Sequence, residues 1–184
     1  MKFLNKLQNL VVNKRATLLG VGPMSKNVID ATIELSDKYK VPIILIASRR
    51  QIDSSDFGGG YVENWDTEKF SNYVKKKSKT KNIILARDHG GPWQNNLEVK
   101  KKLNLKQAME SAKKSFKADI DSGFQILHID PSIDIYKKIN QNQILKRVFE
   151  LYEYCCAYAK SKNKEIIFEI GTEEQSGSTN SDYE

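Results

Sequence analysis

The sequence predicts an α/β fold in which parallel strands alternate with helices. Short, nearly continuous apolar segments recur along the chain, and they alternate with longer segments whose apolar residues are spaced as on one face of a helix. Strands of this kind are typical of a parallel sheet that is covered on both faces. The chain has 184 residues, 39% of them hydrophobic, which is enough for one domain with a sizeable core. We therefore predict a single domain over residues 1–184.

The elements follow in order from this alternation. Residues 1–13 have apolar side chains at helical spacing, which predicts an amphipathic helix leading into the domain. Ser25 is a suitable N-cap for the first helix after a strand. The predicted strands are at 16–22, 42–48, 123–130 and 164–171, together with the apolar run that opens the stretch 82–92. The longer predicted helices cover about 67–79, 104–121 and 140–160.

Polar side chains stand at the carboxyl ends of four of the five predicted strands. They are Ser48 and Arg49, then Asp88 and His89, then His128 and Asp130, and last Glu169, with Glu173 and Glu174 close behind. Ligands bind at this edge both in an open doubly wound sheet and in a closed barrel, but in a barrel several strands contribute to one central site. The distribution therefore favours a (β/α)8 TIM barrel, represented by about five βα units.

The length of the chain limits this interpretation, because a barrel of this type needs about 250 residues. Residues 175–184 form a polar tail without the pattern of a strand or helix. Two interpretations are open. The favoured one is the N-terminal fragment of a longer barrel, and the other is an open five-stranded domain that ends in a disordered tail.

Composition disfavours several classes of protein. The net charge is +7, but the lysines stand in short groups typical of solvated helix faces, so we do not expect a nucleic-acid partner. The only cysteines, Cys155 and Cys156, are neighbours and cannot build a disulfide framework. No segment has the apolar length of a signal peptide or of a membrane span. We therefore expect a cytoplasmic protein without a membrane segment.

The stretch 82–92 carries the strongest functional signal. Its apolar run ends in Asp88 and His89 and continues into Gly90, Gly91 and Pro92, which is how a buried strand delivers reactive groups to a loop. The alternative is a hydrogen-bonded pair that caps the loop.

Other candidate residues also have two interpretations. His128 and Asp130 either contact a ligand or belong to a buried polar network and a turn. Glu169 stands in an apolar strand, where an unpaired charge is costly, so a partner or a metal is expected. Arg49 suits an anion because guanidinium binds phosphate bidentately, but it can instead pair with a nearby aspartate. Ser25 can cap a helix and contact substrate at the same helix end.

Five segments of the sequence follow one another in an order known from one family. The segments are Gly22-Pro23-Met24-Ser25, Phe57-Gly58-Gly59-Gly60-Tyr61, Asp88-His89-Gly90-Gly91-Pro92, His128-Ile129-Asp130 and Glu169-Ile170-Gly171-Thr172-Glu173. Together they resemble the non-catalytic, or accessory, subunit of class II D-tagatose-1,6-bisphosphate aldolase, which is sometimes labelled tagatose 6-phosphate kinase. The resemblance covers residues from about 16 to 178.

The resemblance implies a barrel related to the zinc-dependent class II aldolases of sugar phosphates. In their catalytic members an aspartate moves a proton and the following histidine binds zinc, and by position these are Asp88 and His89. It further implies Zn²⁺ as cofactor and a mobile acidic loop at Glu173, which we predict to be catalytic. We predict that His128 and Glu169 complete the metal site. The predicted contacts to a phosphorylated sugar are Ser25, Ser48, Arg49 and Asp130.

One departure from the family pattern limits the functional prediction. Catalytic class II aldolases bind zinc through three histidines, whereas this sequence contains only His89 and His128. Phosphate sites in such barrels usually come from loops after the seventh and eighth strands. Two hypotheses therefore stay open: a metal-dependent aldolase, and a barrel subunit that stabilises a catalytic partner, either of which can form homo-oligomers. A kinase is not supported, because no nucleotide phosphate loop is present.

Overall fold

The computed structural model describes residue 5 and residues 7–171, and within them it contains a five-stranded parallel sheet. The strands are β1 Leu19–Val21, β2 Ile43–Ser48, β3 Ile83–Gly90, β4 Ile126–Ile129 and β5 Ile167–Ile170. Neighbours in the sheet are also neighbours in the chain, in the order β1-β2-β3-β4-β5, and every pair is parallel. Because parallel crossovers are right-handed, sequential order winds all the helices onto one side of the sheet. This is the winding of a (β/α)8 barrel rather than of a doubly wound sheet.

Helices connect the strands as the sequence predicts. They are α1 Lys26–Tyr39, α2 Thr67–Lys77, α3 Asn96–Lys100, α4 Leu105–Ser122 and α5 Gln141–Ser161. The helices predicted at 67–79, 104–121 and 140–160 are confirmed within two residues at each end. The five-residue helix α3 was not predicted, because so short an element has no readable periodicity. The α/β class is thus confirmed, with five parallel strands among the described residues and helices after the first four of them.

The ends of the chain lie partly outside the described residues. Within the predicted leading helix at 1–13, Asn9–Asn13 form a π-helix, and none of these five residues is buried. The predicted acidic loop at Glu173 and the polar tail at 175–184 lie outside the described residues. None of the described helices is apolar over the length that a membrane crossing requires.

The hydrophobic core lies between the helices and one face of the sheet. In β2, residues 43, 45 and 47 are buried while residues 44, 46 and 48 are only partly buried, so alternate side chains point to a covered and to an open face. The core combines strand residues with one stripe from each long helix, including Leu45, Leu85, Leu127, Ile33, Phe70, Phe116 and Leu151. Helices cover one face of the sheet among the described residues, rather than the two faces that the sequence predicts.

A buried ion pair crosses this core. Arg87 of β3 and Asp119 of α4 are both 0% exposed, and the guanidinium binds the carboxylate through Nε at 2.8 Å and Nη2 at 2.6 Å. Its Nη1 donates to the carbonyl oxygens of Ala47 at 2.8 Å and Ile52 at 2.7 Å. A buried charge is tolerated only when it is paired and its remaining donors are satisfied. Arg87 therefore links the third strand, the helix that follows it and the end of the second strand.

Candidate functional site

Asp88, His89 and His128 meet at the carboxyl ends of β3 and β4. A carboxylate oxygen of Asp88 and one ring nitrogen from each histidine all lie within 4.8 Å of one another. The Oδ1 atom of Asp88 is 3.7 Å from Nε2 of His89 and 3.6 Å from Nδ1 of His128. The Asp88 and His89 side chains are partly exposed, while that of His128 is 4% exposed. The cluster thus opens to solvent on one side and rests on the sheet on the other.

A bulge in β3 allows two adjacent residues to face the same site. Successive side chains of a regular strand point to opposite faces of the sheet. Here Arg87 is paired with Leu127 but Gly90 is paired with Ile129, so β3 has one residue more than β4 over this interval. His89 lies within it, with a φ of 44°, in the left-handed region that residues other than glycine rarely adopt. Bulges of this type re-aim side chains near functional sites.

Strand register places two further predicted residues beside the cluster. Ser48 is the register partner of Asp88, and Glu169 is the register partner of His128. Register partners in a parallel sheet share a face, so both residues lie on the face that carries Asp88 and His128. Glu169 is exposed, contrary to the burial expected for an apolar strand, because β5 forms the edge of the described sheet.

The electrostatics of the cluster favour an ionised carboxylate. Partial burial acts to raise the pKa of Asp88, but the nearby imidazoles of His128 and His89 outweigh it and hold that pKa below its usual value. Burial likewise acts to lower the pKa of His128, but attraction to Asp88, Glu169 and Asp130 outweighs it and raises that pKa. Asp88 therefore carries its charge at neutral pH and is able to accept a proton or to bind a cation.

The structure does not bring every predicted site residue to the cluster. Arg49 is 1% exposed, and its guanidinium binds Asp53 at 3.0 Å, Glu98 at 2.6 Å and the carbonyl oxygen of Gly91 at 2.8 Å. Its charge is therefore balanced by buried carboxylates, and its hydrogen bond to Gly91 supports the loop after β3. Ser25 caps α1, where its hydroxyl accepts a hydrogen bond from the backbone N–H of Val28 at 3.3 Å.

Asp130 is completely buried at the end of β4 and contacts the ring of His89 on the side away from Asp88. Its Oδ2 atom lies 2.8 Å from Nδ1 of His89, on the ring edge opposite the nitrogen that faces Asp88. The backbone N–H of Asp130 donates to the carbonyl oxygen of Gly90 at 2.8 Å. The ends of β3 and β4 are thus joined both through the backbone and through a side chain.

Two glycines are required by close packing around the site. A Cβ on Gly91 would lie 2.1 Å from the carbonyl oxygen of Asp130, and a Cβ on Gly171 would lie 2.0 Å from Nε2 of His128. Neither position has room for a side chain unless the site moves. Gly91 is therefore a packing requirement where the chain leaves β3 beside the end of β4.

Several supporting residues were not predicted from the sequence. They are Arg87 and Asp119 in the core, Glu98 beneath Arg49, and Gln94, whose amide donates to Asp130 at 3.0 Å. Only the first pair had a readable signal, because Arg87 interrupts an apolar strand and Asp119 lies among the apolar residues of α4. The other contacts depend on loop conformations that carry no periodicity.

The donor set of the cluster fits a zinc ion. Imidazole nitrogen and carboxylate oxygen are both common zinc ligands, and two nitrogens with one oxygen form a combination known from catalytic zinc sites. Three protein ligands leave a coordination position for water or substrate, whereas structural zinc sites use four. The two imidazoles at the ends of β3 and β4, with one carboxylate from either Asp88 or Glu169, therefore have the chemistry of an open metal site.

Comparisons with known proteins agree with this fold. A family model described as "D-tagatose-1,6-bisphosphate aldolase subunit GatZ/KbaZ-like" matches residues 4–180. No curated protein matches the chain. Among solved structures, a probable tagatose 6 phosphate kinase from Sinorhizobium meliloti 1021 is similar with a TM-score of 0.69 and 22% identity. That alignment covers 86% of this chain and 39% of the other, so the chain spans well under half of that protein.

Two further structures are similar at lower scores. A hypothetical protein from Ruminiclostridium thermocellum ATCC 27405 has a TM-score of 0.50 and 12% identity over 83% of this chain and 96% of that one. A fructose-bisphosphate aldolase from Campylobacter jejuni has a TM-score of 0.44 and 16% identity over 91% of this chain and 55% of that one. For the two structures with TM-scores of 0.69 and 0.50, the likeness at these identities is one of fold.

Proposed function

Because the chain belongs to the D-tagatose-1,6-bisphosphate aldolase subunit GatZ/KbaZ-like family, we propose that it is a component of a class II, metal-dependent aldolase system. The reaction is the cleavage or formation of a carbon–carbon bond in a ketose bisphosphate such as D-tagatose 1,6-bisphosphate. The observation that supports this proposal is the convergence of Asp88, His89 and His128 within 4.8 Å at the carboxyl edge of the sheet.

Each residue of the cluster has a proposed role. Asp88 is the proton-transfer group, because its carboxylate lies on the open face beside both imidazoles and is ionised at neutral pH. His89 and His128 are the metal ligands, and Glu169, in register beside His128, is the candidate for a third ligand. A zinc ion bound there would act as a Lewis acid for the negative charge that develops on the substrate. Ser48 is the candidate for a substrate contact on the same face.

Two further residues with predicted roles stand apart from this scheme, for different reasons. Glu173, the second proposed catalytic group, lies outside the described residues. A direct substrate contact by Arg49 is not part of the proposal, because its guanidinium is buried in ion pairs.

A second candidate function is a non-catalytic barrel subunit that stabilises a catalytic aldolase partner. It is favoured by the histidine count of residues 1–184, since they contain two histidines and a class II zinc site with three would need one from outside them. In that role the cluster keeps its arrangement without completing the chemistry. The subunit wording in the family description supports a partner for either role.

Zinc content separates the two candidates. We expect about one zinc ion per chain in the purified protein by mass spectrometry of the metal, as one open site requires, and loss of that zinc in His89→Ala. The exposed variant Lys76→Ala, in the last turn of α2 and hence at the opposite edge of the sheet, is the matched control and retains zinc. The same samples are then assayed for cleavage of D-tagatose 1,6-bisphosphate. Wild-type protein without stoichiometric zinc contradicts the catalytic role and leaves the accessory role.

A further inference from the structure

The contacts of Asp130 differ from those of a substrate-binding residue. The residue is 0% exposed, and each of its two carboxylate oxygens already has two partners. Oδ1 accepts from the backbone N–H of Ser132 at 3.1 Å and from the Ser132 hydroxyl at 2.5 Å. Oδ2 lies 3.0 Å from the amide nitrogen of Gln94 and 2.8 Å from Nδ1 of His89. The carboxylate is therefore fully engaged within the protein and has no face left for a sugar.

The same contacts determine which nitrogen of His89 carries the proton. A backbone N–H and an amide N–H can only donate, so Ser132 and Gln94 require both oxygens of Asp130 to act as acceptors. The contact between Oδ2 and Nδ1 then needs a donor, and the donor is the Nδ1–H group of His89. In the neutral ring the lone pair is consequently on Nε2, the nitrogen 3.7 Å from Asp88.

The backbone around this contact leaves little freedom for a different arrangement. The backbone N–H of Asp130 donates to Gly90, and the carbonyl oxygen of Asp130 lies where a Cβ on Gly91 would stand. His89 itself is held in the bulge of β3 with a φ of 44°. Both ends of the contact are thus anchored to the two strand ends that carry the cluster.

We propose that Asp130 is a positioning residue that holds His89 in the Nδ1–H tautomer, with the ring turned so that Nε2 points into the cluster. A carboxylate behind a ligating histidine commonly has this role, since it fixes the ring orientation and raises the basicity of the ligating nitrogen. As far as it concerns metal binding, the inference rests on the proposed function. The tautomer is a property of the protein alone and can be measured without a metal.

The first test measures the tautomer in metal-free protein by long-range ¹H–¹⁵N NMR of the imidazole rings at a single mildly alkaline pH. The chain contains only two histidines, so the signals of His89 are identified by their loss in His89→Gln. We expect the ¹⁵N shift of Nδ1 to be that of a protonated nitrogen and the shift of Nε2 to be that of an unprotonated one. A His89 ring protonated on Nε2 in the wild-type protein overturns the proposal, and this result needs no variant at Asp130.

The second test replaces the carboxylate. In Asp130→Asn the amide oxygen is required by the two donors of Ser132, so the amide N–H group faces His89 and the tautomer should switch to Nε2–H. Ser132→Ala removes one donor but leaves the Asp130–His89 contact, and as the matched control it keeps the Nδ1–H tautomer. A folded Asp130→Asn protein with an unchanged tautomer overturns the proposal.

Zinc affinity links the tautomer to the site. Equilibrium dialysis should show zinc binding weakened by about 10–100-fold in Asp130→Asn, the usual effect of losing such a carboxylate, with Ser132→Ala close to wild type. Equal zinc affinity in wild type and Asp130→Asn overturns the positioning role. If the wild-type protein binds no zinc, the catalytic proposal fails, while the NMR measurement still decides whether Asp130 sets the tautomer.

Discussion

At the scale of single residues, the Asp88-His89 pair acquires its arrangement from a local irregularity. In an unbroken strand these neighbours would point to opposite faces, and only one of them could face His128. The extra residue in β3 and the left-handed φ of His89 bring both to one site. Such a backbone costs about 1–3 kcal/mol and persists because the surrounding structure requires it. The glycines after His89 contribute to the same arrangement, because they let this part of the chain approach β4 closely.

Gly91→Ala tests this close approach. The new methyl group would lie 2.1 Å from a backbone oxygen of Asp130, so the two strand ends must separate. We expect the free energy of unfolding, measured by urea denaturation, to fall by about 1–3 kcal/mol, as overpacking usually costs. Gly22→Ala is the control, because its nearest neighbour would be at 3.5 Å and the change should be close to neutral. Equal stability of the two variants would contradict the packing requirement.

At the scale of elements, side chains at helix starts define where each unit begins. Ser25, Asp66, Asn104 and Asn140 all stand at N-caps and accept a hydrogen bond from the first turn. In the last two, a glutamine three residues later completes a capping box. These caps account for the close agreement between predicted and observed helix starts.

A similar contact holds the connection between α2 and β3. The carboxylate of Asp37 accepts from the backbone N–H groups of Lys79 and Thr80, both at 2.9 Å, and from the Thr80 hydroxyl at 2.6 Å. These hydrogen bonds, first that from the backbone N–H of Lys79 and then those from the hydroxyl and N–H of Thr80, lower the pKa of Asp37. It is held at about 2, below the model-peptide value of 3.8. A single acid on α1 thereby determines where the chain enters the third strand.

The lowered pKa of Asp37 predicts a pH dependence of stability. A carboxylate whose pKa is lower in the folded state stabilises the protein above its unfolded pKa of 3.8, and this contribution is lost as the pH falls toward 2. Asp37→Asn should therefore lower the Tm at pH 7, and the difference from wild type should shrink between pH 4 and about 2. Circular dichroism melts measure it, with Glu34→Gln on the exposed side of α1 as the control. A constant difference across that range would argue against the ionised contact.

At the scale of the whole molecule, a buried ion pair within the apolar core joins the sheet to α4. Arg87 contacts α4 through Asp119, the end of β2 through Ala47 and the loop after β2 through Ile52. These contacts fix the position of β3, whose opposite face carries the site. Burying an ion pair of this kind costs desolvation energy. Removing both charges together therefore lowers the stability less than removing one charge and leaving the other buried without a partner.

Double-mutant analysis of Arg87 and Asp119 tests the pair. Asp119→Leu leaves a buried guanidinium without its partner, and we expect a loss of about 3–5 kcal/mol in the free energy of unfolding. The double variant Arg87→Met/Asp119→Leu removes both charges and should lose clearly less than the sum of the losses in Arg87→Met and Asp119→Leu. Urea denaturation measures the wild type, the two single variants and the double variant. Additive losses would show that the two side chains act independently.

Sequence periodicity alone determined the alternation of strands and helices, because strand and helix repeats are local properties of the chain. It also indicated that Asp88, His89, His128 and Glu169 stand at carboxyl ends of strands. It did not determine what packs against the second face of the sheet. An apolar strand has the same sequence pattern whether or not helices cover that face.

Only the tertiary structure decided what the polar residues contact. Arg49 and Asp130 have the sequence features of substrate-binding residues, yet both are buried in contacts with residues that lie from 2 to 62 positions away in the chain. Such contacts depend on strand register and loop conformation, which no local pattern encodes. For the same reason, the sequence identifies His89 as a candidate ligand, but the bulge and the carboxylate of Asp130 determine which of its nitrogens faces the site.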